Sequence, residues 1–391
     1  MLQANNVPSL NLGLLPGLGG SFTTMAAGGQ IERFMQYYLQ AYRRAFHHIA
    51  YFSYQQEQFC NFTNDPALLS QITLYPKDKS SHYRRYALQM VRQQAQAFQA
   101  CDVLRVFHTP GGIPAVQAKR RFGTPFVTTY GYKYHRFSAI EGNRLNGFLL
   151  RFAEPLILRQ ATAVIVTTHE LQNYVHQWIS PDRVHLIPNG VDTAVFTPTP
   201  SPKSRQPKPT ILFVGRLNPQ KNLPMLLDAL ALVKTPFHLR IVGDGPLRES
   251  LENKARAAGI SFQFDGTRPH NELPAIFQSS DLFVLPSLIE GHPKVLIEAM
   301  SCGLPCVVSN SEGNRTLIQH EQNGFLANTQ NHSQFAQQIE SLLSQPTTAA
   351  QLGAAARKHI LNRYDIHTLV QEEIALLRQL GEKRRLQVRQ M

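Results

Sequence analysis

The sequence predicts an α/β fold with two facing Rossmann-like domains, each built on a parallel sheet. The chain has 391 residues, and single hydrophobic cores stop growing near roughly 250–300 residues. Short β-type runs alternate with helical patterns, as in βαβ units. Residues 197–210, TPTPSPKSRQPKPT, contain five prolines and no large apolar residue, which is typical of a linker. We therefore predict an N-terminal domain at 1–204 and a C-terminal domain at 205–391, whose last helix could pack back on the N-terminal domain.

Strands are predicted where apolar residues form short runs. These runs are residues 10–15, 49–53, 103–107, 126–129, 163–167 and 184–187 in the first domain, and 211–214, 239–242, 261–264, 282–285 and 306–309 in the second. Residues 30–46 show the 3.6-residue apolar period of a helix with one face toward the core. Because ligands bind beyond the carboxyl ends of the strands in open parallel sheets, we expect functional side chains in the loops that follow the strands.

The composition excludes several classes of protein. A hydrophobic content of 43% rules out a disordered, collagen-like or coiled-coil chain. Four cysteines without paired spacing favour a reducing compartment, and Cys302 and Cys306 are expected to be small core residues. No apolar run approaches the ~20 residues of a membrane span, and residues 1–31 carry no charge, unlike the start of a signal peptide. We expect a cytoplasmic protein.

The pattern of residues 281–310 predicts a strand, a loop, a helix that ends at a glycine, and a second strand. Pro293 suits the first helical position. Gly303 suits the left-handed residue after a helix that ends near Cys302. The helix is therefore expected to begin at Pro293.

The start of this helix is a candidate anion site. The N–H groups of Lys294, Val295 and Leu296 would point out of the helix N-terminus. Glu290 precedes the helix, and Glu298 lies ~7–8 Å along its axis. One carboxylate could meet a sugar on one side of a phosphate, and the other a ribose on the far side.

Two cations follow the first strand of the second domain. Arg216 comes directly after Gly215, and Lys221 lies five residues later. Cations at this strand end would bracket a diphosphate leaving group and stabilise its charge in place of a metal ion. We therefore expect no metal site, and the chain contains no D-x-D pair. Gly243, in a G-D-G-P turn after the next strand, would allow close backbone approach.

Together these motifs resemble the retaining nucleotide-sugar glycosyltransferases of glycosyltransferase family 4 (group 1), which have the GT-B fold. The matching segments are PNGVD at 188–192, VGRLNPQK at 214–221, IVGDGPL at 241–247, LPSLIEGHPKVLIEAMSCGLPCVVSN at 285–310 and NGF at 323–325. Gly28 and Gly29, before the first predicted helix, resemble the glycine pair of the family's first domain.

The resemblance implies a hexose-type sugar transfer from a nucleotide-diphosphate sugar to a glycan or lipid-linked acceptor, with retention and without a metal or other cofactor. The resemblance also implies a place in the synthesis of cell-envelope polysaccharide or glycolipid. The favoured chemistry is front-face attack assisted by the leaving phosphate, which requires no dedicated protein base.

The resemblance also implies roles for individual residues. The catalytic residues would be Glu290, which would bind the donor sugar, and Arg216 and Lys221, which would bind the diphosphate. Glu298 would bind the ribose of the donor. The other donor-binding residues would be Lys294, Val295, Gly243, Gly28 and Gly29. Alanine at Glu290, Arg216 or Lys221 is expected to abolish transfer with little change in melting temperature.

The acceptor side departs from the family pattern. Many relatives have a His-Gly pair after the fourth strand, whereas this chain has Tyr130 and a glycine. His108, Tyr130 and His135 are the candidates on this side.

The net charge of +13 suggests a further partner. Basic residues cluster at 77–92 and, among aromatic residues, at 119–136, and either segment could meet an anionic membrane surface or simply be a solvated face. The basic tail at 382–391 is expected to fray.

Two other functions are open on sequence alone. A nicotinamide-dependent dehydrogenase needs G-x-G-x-x-G in its first βα turn. Gly17 and Gly19 fit that pattern, but Phe22 stands at the third position. A basic, non-enzymatic nucleic-acid binder would show a steep salt dependence of RNA affinity, although we expect no nucleic-acid partner.

Overall fold

The computed structural model describes residues 10–78, 82–199 and 208–390. The chain divides into two compact units, of which the first comprises residues 1–135, 146–187 and 368–391 and the second comprises residues 136–145 and 188–367. The predicted boundary between residues 204 and 205 lies outside the described residues.

A seven-stranded sheet forms the centre of the first unit. Its strands are β1 Asn11–Leu15, β2 His48–Phe52, β3 Ile72–Tyr75, β4 Val103–Val106, β5 Phe126–Tyr130, β6 Ala163–Val166 and β7 Val184–Leu186. They are parallel and ordered β3-β2-β1-β4-β5-β6-β7. The order reverses between β1 and β4, which is the doubly wound pattern of Rossmann-like domains.

Helices connect these strands. In chain order they are α1 Phe22–Ala27, α2 Ile31–Arg33, α3 Gln40–Ala45, α4 Pro66–Gln71, α5 Tyr83–Gln93, α6 Ala95–Ala100, α7 Ile113–Phe122, α8 Tyr134–Ile140, α9 Arg144–Gln160 and α10 His169–Val175. A π-helical segment, Phe34–Leu39, joins α2 to α3, so the helix predicted over residues 30–46 is present as one continuous element.

The second unit holds a six-stranded parallel sheet. Its strands are β8 Thr210–Val214, β9 His238–Val242, β10 Phe262–Gly266, β11 Leu282–Leu285, β12 Cys306–Ser309 and β13 Phe325–Ala327, in the order β10-β9-β8-β11-β12-β13. The remaining helices are α11 Leu223–Leu230, α12 Arg248–Ala257, α13 Leu273–Gln278, α14 Lys294–Ser301, α15 His332–Ser344, α16 Pro346–Leu361 and α17 Ile366–Gln390. The order reverses between β8 and β11, so the ligand position of this sheet is expected at the ends of those two strands.

Strand burial explains the success of the strand predictions. Every residue of β8, β11 and β12 is buried, because helices cover both faces of a parallel sheet. All predicted strands are present within two residues at either end.

Cys302 and Cys306 are buried, as expected. None of the helices in the described residues combines the length and apolar character that crossing a bilayer requires.

The C-terminal tail is ordered, and the prediction that it frays is wrong. Helix α17 runs to Gln390. Arg385 makes two hydrogen bonds of 2.8 Å to the carboxylate of Asp102. Arg384 donates to the carbonyl oxygens of Cys101 and Phe122. These bonds attach the end of the helix to the first unit.

Candidate functional site

The loops that follow β8 and β9 cross in direct backbone contact. The N–H of Gly215 donates to the carbonyl oxygen of Val242 at 2.9 Å. A Cβ atom at Gly243 would lie 2.0 Å from the carbonyl oxygen of Gly215, and one at Gly245 would lie 2.5 Å from that of Leu217. Only glycine fits at this crossing. The close approach expected of Gly243 is thus made to another loop of the same unit.

An ion pair lies where the loops after β8 and β11 meet. The Nζ atom of Lys221, at the end of a 3₁₀ turn after β8, lies 2.6 Å from Oε1 of Glu290. The two side chains are only 12% and 10% exposed. Gln220 donates to the same Oε1 at 3.2 Å and also to the carbonyl oxygen of Ile289. Glu290 is therefore held in one orientation by two donors.

A second loop supports Glu290 from its backbone. The N–H of Gly313 donates to the carbonyl oxygen of Glu290 at 3.2 Å. A Cβ atom at Gly313 would lie 2.2 Å from the carbonyl oxygen of Gly291. The loop that carries the carboxylate is thus packed against a position where only glycine fits.

The N-terminus of α14 differs from the predicted one by one residue. Pro293 has extended backbone angles and precedes the helix, and its own side chain makes no capping hydrogen bond. The N–H groups of Leu296 and Ile297 both donate to the carbonyl oxygen of Pro293. The prediction that the Leu296 N–H belongs to the anion site is therefore wrong. The N–H groups of Lys294 and Val295 come first in the helix, where intrahelical acceptors are lacking.

Glu298 is buried inside the second unit. Its Oε1 lies 3.0 Å from Nε2 of His270, which is also buried. The His270 ring packs against the Phe196 ring at 5.2 Å between centroids. Binding of a ribose by Glu298 stays a prediction. Its burial excludes the alternative that Glu298 is an exposed residue on the surface of α14.

The PNGVD motif is attached to the loop after β11. The N–H of Asn189 donates to Nδ1 of His292 at 3.2 Å, and its side-chain amide donates to the His292 carbonyl oxygen at 2.6 Å. Burial, and then the nearby His359, lower the pKa of His292 to about 3. His292 is therefore neutral and acts as an acceptor that orients the loop.

Arg216 is the exposed cation of the group. Its guanidinium carbon lies 5.7 Å from the centroid of the Phe137 ring. Within the part of the chain that the structure describes, the guanidinium has no hydrogen-bond acceptor. The N–H groups of Arg216 thus make no hydrogen bond to another described residue, whereas the ammonium group of Lys221 is paired with Glu290.

Two of the three acceptor-side candidates, Tyr130 and His135, contact one buried carboxylate in the first unit. Tyr130 is fully buried, and its hydroxyl donates to Glu154 at 2.7 Å. The backbone N–H of His135 donates to Glu154 at 2.8 Å, and the His135 ring lies 3.3 Å from it. His108 is exposed, with Nδ1 3.3 Å from the Tyr134 hydroxyl. Burial raises the pKa of Tyr130 far above its ordinary value, so this hydroxyl stays a donor committed to Glu154.

Gly28 and Gly29 end helix α1. Gly29 has a φ of +63°. Its N–H donates to Ala26, and the N–H of Gln30 donates to Met25, both at 2.9 Å. These two bonds form a Schellman motif, which favours glycine at the left-handed position. The structure thus gives Gly29 a local role, and contact with a donor stays a prediction.

The dehydrogenase alternative finds no support in the first βα turn. Phe22 stands where the third glycine would be needed. It is fully buried, with its ring 4.2 Å from that of Tyr51 and 5.2 Å from that of Phe59.

In the described residues, no three or more His, Cys, Asp and Glu side chains are grouped so that they could hold a metal ion.

Sequence reasoning missed four residues of these sites. Gln220 orients Glu290, Gly313 supports its loop, His270 holds Glu298, and Glu154 holds Tyr130 and His135. Only Gln220 carried a signal, since it lies beside Lys221 in the VGRLNPQK motif. The others contact residues at least 19 positions away in the chain, which no local pattern reports.

The two doubly wound parallel sheets define the GT-B fold, and solved structures agree. Sucrose-phosphate synthase from Thermosynechococcus elongatus is similar with a TM-score of 0.79 at 21% identity, covering 96% of this chain and 100% of that one. The Anabaena protein HepE in complex with UDP and glucose is similar with a TM-score of 0.76 at 20% identity, covering 95% and 100%.

Sequence comparison then gives the family. Residues 29–190 match the glycosyl transferase 4-like domain, and residues 199–359 match the glycosyl transferases group 1 family. This chain belongs to the group 1 glycosyltransferases of glycosyltransferase family 4. The Escherichia coli UDP-Gal:alpha-D-GlcNAc-diphosphoundecaprenol alpha-1,3-galactosyltransferase is 30% identical over 243 residues. That match covers 58% of this chain and 62% of the relative, so the chain spans less than two thirds of its length.

Proposed function

We propose that this protein is a retaining glycosyltransferase that moves a hexose-type sugar from a nucleotide-diphosphate sugar to a glycan or lipid-linked acceptor. The observation that carries the proposal is the 2.6 Å pair between Lys221 and Glu290. It joins the loops after β8 and β11, and the Glu290 loop leads into the helix that begins at Lys294. A cation, a carboxylate and a helix N-terminus suit a donor in which a diphosphate adjoins sugar hydroxyls.

The positive groups would stabilise the leaving nucleoside diphosphate. As the bond between the anomeric carbon and the phosphate oxygen breaks, negative charge grows on the diphosphate. Arg216, Lys221 and the amides of Lys294 and Val295 can oppose that charge with donors already in position. In this proposal they do the work that a divalent ion does elsewhere, so transfer is metal-independent.

Glu290 would orient the donor sugar. In the described residues, both donors to its side chain reach Oε1, and Oε2 accepts no hydrogen bond. A carboxylate oxygen accepts hydrogen bonds from sugar hydroxyls and is fixed here at little cost in side-chain entropy. In front-face transfer, the acceptor oxygen bonds to the anomeric carbon on the side that the phosphate leaves, and its proton passes to the leaving phosphate. Glu290 positions the sugar in this scheme and takes no proton.

The comparisons support the choice of substrates. The Anabaena protein was solved with UDP and glucose, and the E. coli relative is named for transfer from UDP-Gal to a diphosphoundecaprenol-linked sugar. UDP-hexoses are therefore the first donors to test, and polyprenyl diphosphate sugars the first acceptors. Glu298, fixed by His270, would bind the ribose of such a donor.

The test is release of nucleoside diphosphate from UDP-glucose, UDP-galactose and GDP-mannose, with a polyprenyl diphosphate sugar as acceptor, in buffer with excess EDTA. We expect turnover with one donor, a loss of at least roughly 100-fold in Arg216→Ala, and wild-type turnover in Arg256→Ala, a matched control at an exposed arginine of α12. The anomeric configuration of the product, read by NMR, should equal that of the donor. Full turnover in Arg216→Ala, an absolute need for a divalent ion, or an inverted product would each contradict the corresponding part of the proposal.

A further inference from the structure

The outward face of helix α9 is apolar. Besides Leu145 at 73%, four large side chains further along this helix are mostly exposed: Phe148 at 60%, Leu149 at 55%, Phe152 at 59% and Leu156 at 61%. Positions 148, 149, 152 and 156 fall on one side of a helix with 3.6 residues per turn. The rings of Phe148 and Phe152 contact each other edge to face at 5.2 Å between centroids. These four residues are named the α9 apolar face.

The opposite side of α9 is fixed to the first unit. Ile157 and Leu158 are buried, and a Cβ atom at Gly112 would lie 2.6 Å from the Ile157 side chain. Glu154 is buried and bonded to the Tyr130 hydroxyl. The apolar face therefore cannot turn inward without breaking these contacts.

Positive charge borders the apolar face. Arg151 and Arg159 on α9 are exposed, and the only acid between residues 146 and 160 is the buried Glu154. At the C-terminal end of the helix, Lys119 donates to the carbonyl oxygen of Gln160 at 2.7 Å, and Arg183 to that of Arg159 at 2.9 Å.

The first unit as a whole is strongly basic. It contains 21 Lys and Arg against 11 Asp and Glu, so it carries +10 of the net +13 of the chain. Two copies meeting through α9 would bring Arg151 and Arg159 together without an exposed acid on the helix to pair them. An anionic surface with an apolar interior suits the arginines and the apolar face at once.

The structure also corrects the surface predicted from sequence. In residues 119–136, Tyr130, Lys133 and Tyr134 are buried, and Lys133 lies 3.5 Å from Glu170. That run is therefore not a continuous basic and aromatic surface. Part of the other predicted segment, residues 79–81, lies outside the described residues.

We propose that helix α9 docks the protein on anionic lipid bilayers, with the α9 apolar face inserted among the headgroups and Arg151 and Arg159 on the lipid phosphates. This inference goes beyond glycosyl transfer, because docking needs neither donor nor acceptor.

The test is co-sedimentation of the full chain with vesicles, without any sugar nucleotide. We expect binding to phosphatidylcholine vesicles that contain 30–40% phosphatidylglycerol, chosen as roughly the anionic content of strongly charged membranes, and little binding to phosphatidylcholine alone. Leu149→Ser with Leu156→Ser should lower the partition coefficient by roughly tenfold or more, because two apolar contacts are lost. The matched control is Leu88→Ser with Leu386→Ser, since both leucines lie on helices of the first unit and are 60% exposed. The control should bind like wild type.

Several results would overturn the proposal. Wild-type protein that stays in the supernatant with anionic vesicles would exclude docking. Equal loss in the control, or no loss in the α9 variant, would exclude this face. A dimer in light scattering that only the α9 variant dissolves, without vesicle binding, would assign the face to self-association. Because all four leucines are exposed, melting temperatures within about 2 °C of wild type are expected for both variants, and donor turnover is measured separately.

Discussion

Removing Lys221 should destabilise the second unit, although the sequence alone suggests a neutral surface change. At 2.6 Å and an effective dielectric constant of about 20, the attraction between Lys221 and Glu290 is roughly 6 kcal/mol before desolvation is subtracted. Lys221→Ala leaves the Glu290 carboxylate about nine-tenths buried without its cation. Breaking a buried pair from one side costs about 3–5 kcal/mol. Because Gln220 still donates to the carboxylate, we expect about 2–4 kcal/mol.

The assay is urea unfolding at pH 7.5 of Lys221→Ala, Glu290→Ala and the double variant, followed by fluorescence. The double variant should lose less than the sum of the single losses, with a coupling free energy of about 1–3 kcal/mol. In a unit of this size, a 3 kcal/mol loss lowers the melting temperature by about 6–12 °C. Arg216→Ala, at an exposed arginine, should cost less than about 0.5 kcal/mol. Additive losses, or a Lys221→Ala loss as small as that of Arg216→Ala, would refute this reasoning.

Two further predictions concern glycine packing and pH. Gly243→Ala should lower the free energy of unfolding by about 2–4 kcal/mol. The reason is that its Cβ would lie 2.0 Å from the Gly215 carbonyl oxygen and its φ is +129°. Gly259→Ala is the control: its φ is +65° and nothing lies within 4 Å of the added Cβ, so the same urea titration should show a loss of only about 1 kcal/mol. Burial lowers the pKa of His292 to about 3 from the ordinary 6.5, so its contribution to stability is complete above pH 6.5 and falls as pH falls toward 3. Between pH 8 and pH 5 wild type should therefore lose about 2 kcal/mol more than His292→Asn, and equal losses would contradict a neutral, buried His292.

Every strand that has a neighbour on both sides is predicted from the sequence alone, and so are the edge strands β7 and β10. Parallel strands covered on both faces must be apolar throughout, and β8, β11 and β12 are such runs. The two strands that were missed, β3 and β13, lie at sheet edges, where they pair on one side only. Ile72–Tyr75 and Phe325–Ala327 are short and partly exposed, so their pattern is weak.

Local chemistry also predicts most of α14. Gly303 has the expected left-handed φ of +71°, and the helix ends at Ser301 with Cys302 as its C-cap. The start was misplaced by one residue because Pro293 takes an extended ψ of 113°. Proline fixes φ but leaves ψ free, so its presence alone cannot fix the first residue of a helix.

Pairs between distant residues could not be read from the sequence. Lys221 and Glu290 are 69 positions apart, and Asn189 and His292 are 103 apart. The motifs indicated that these residues matter, but their contacts depend on how the strands order in the sheet. Arg385, expected in a frayed tail, instead binds a carboxylate 283 positions away.

Calorimetric titration of nucleoside diphosphates tests the central claim most directly. With UDP and GDP in buffer containing EDTA, we expect one of them to bind, because in the proposed function Arg216, Lys221 and the start of α14 would hold the diphosphate without a metal ion. Arg216→Ala should weaken that binding by roughly tenfold or more, whereas Arg256→Ala should leave it unchanged. The absence of binding by either nucleotide, or equal affinity in Arg216→Ala and wild type, would contradict the diphosphate site.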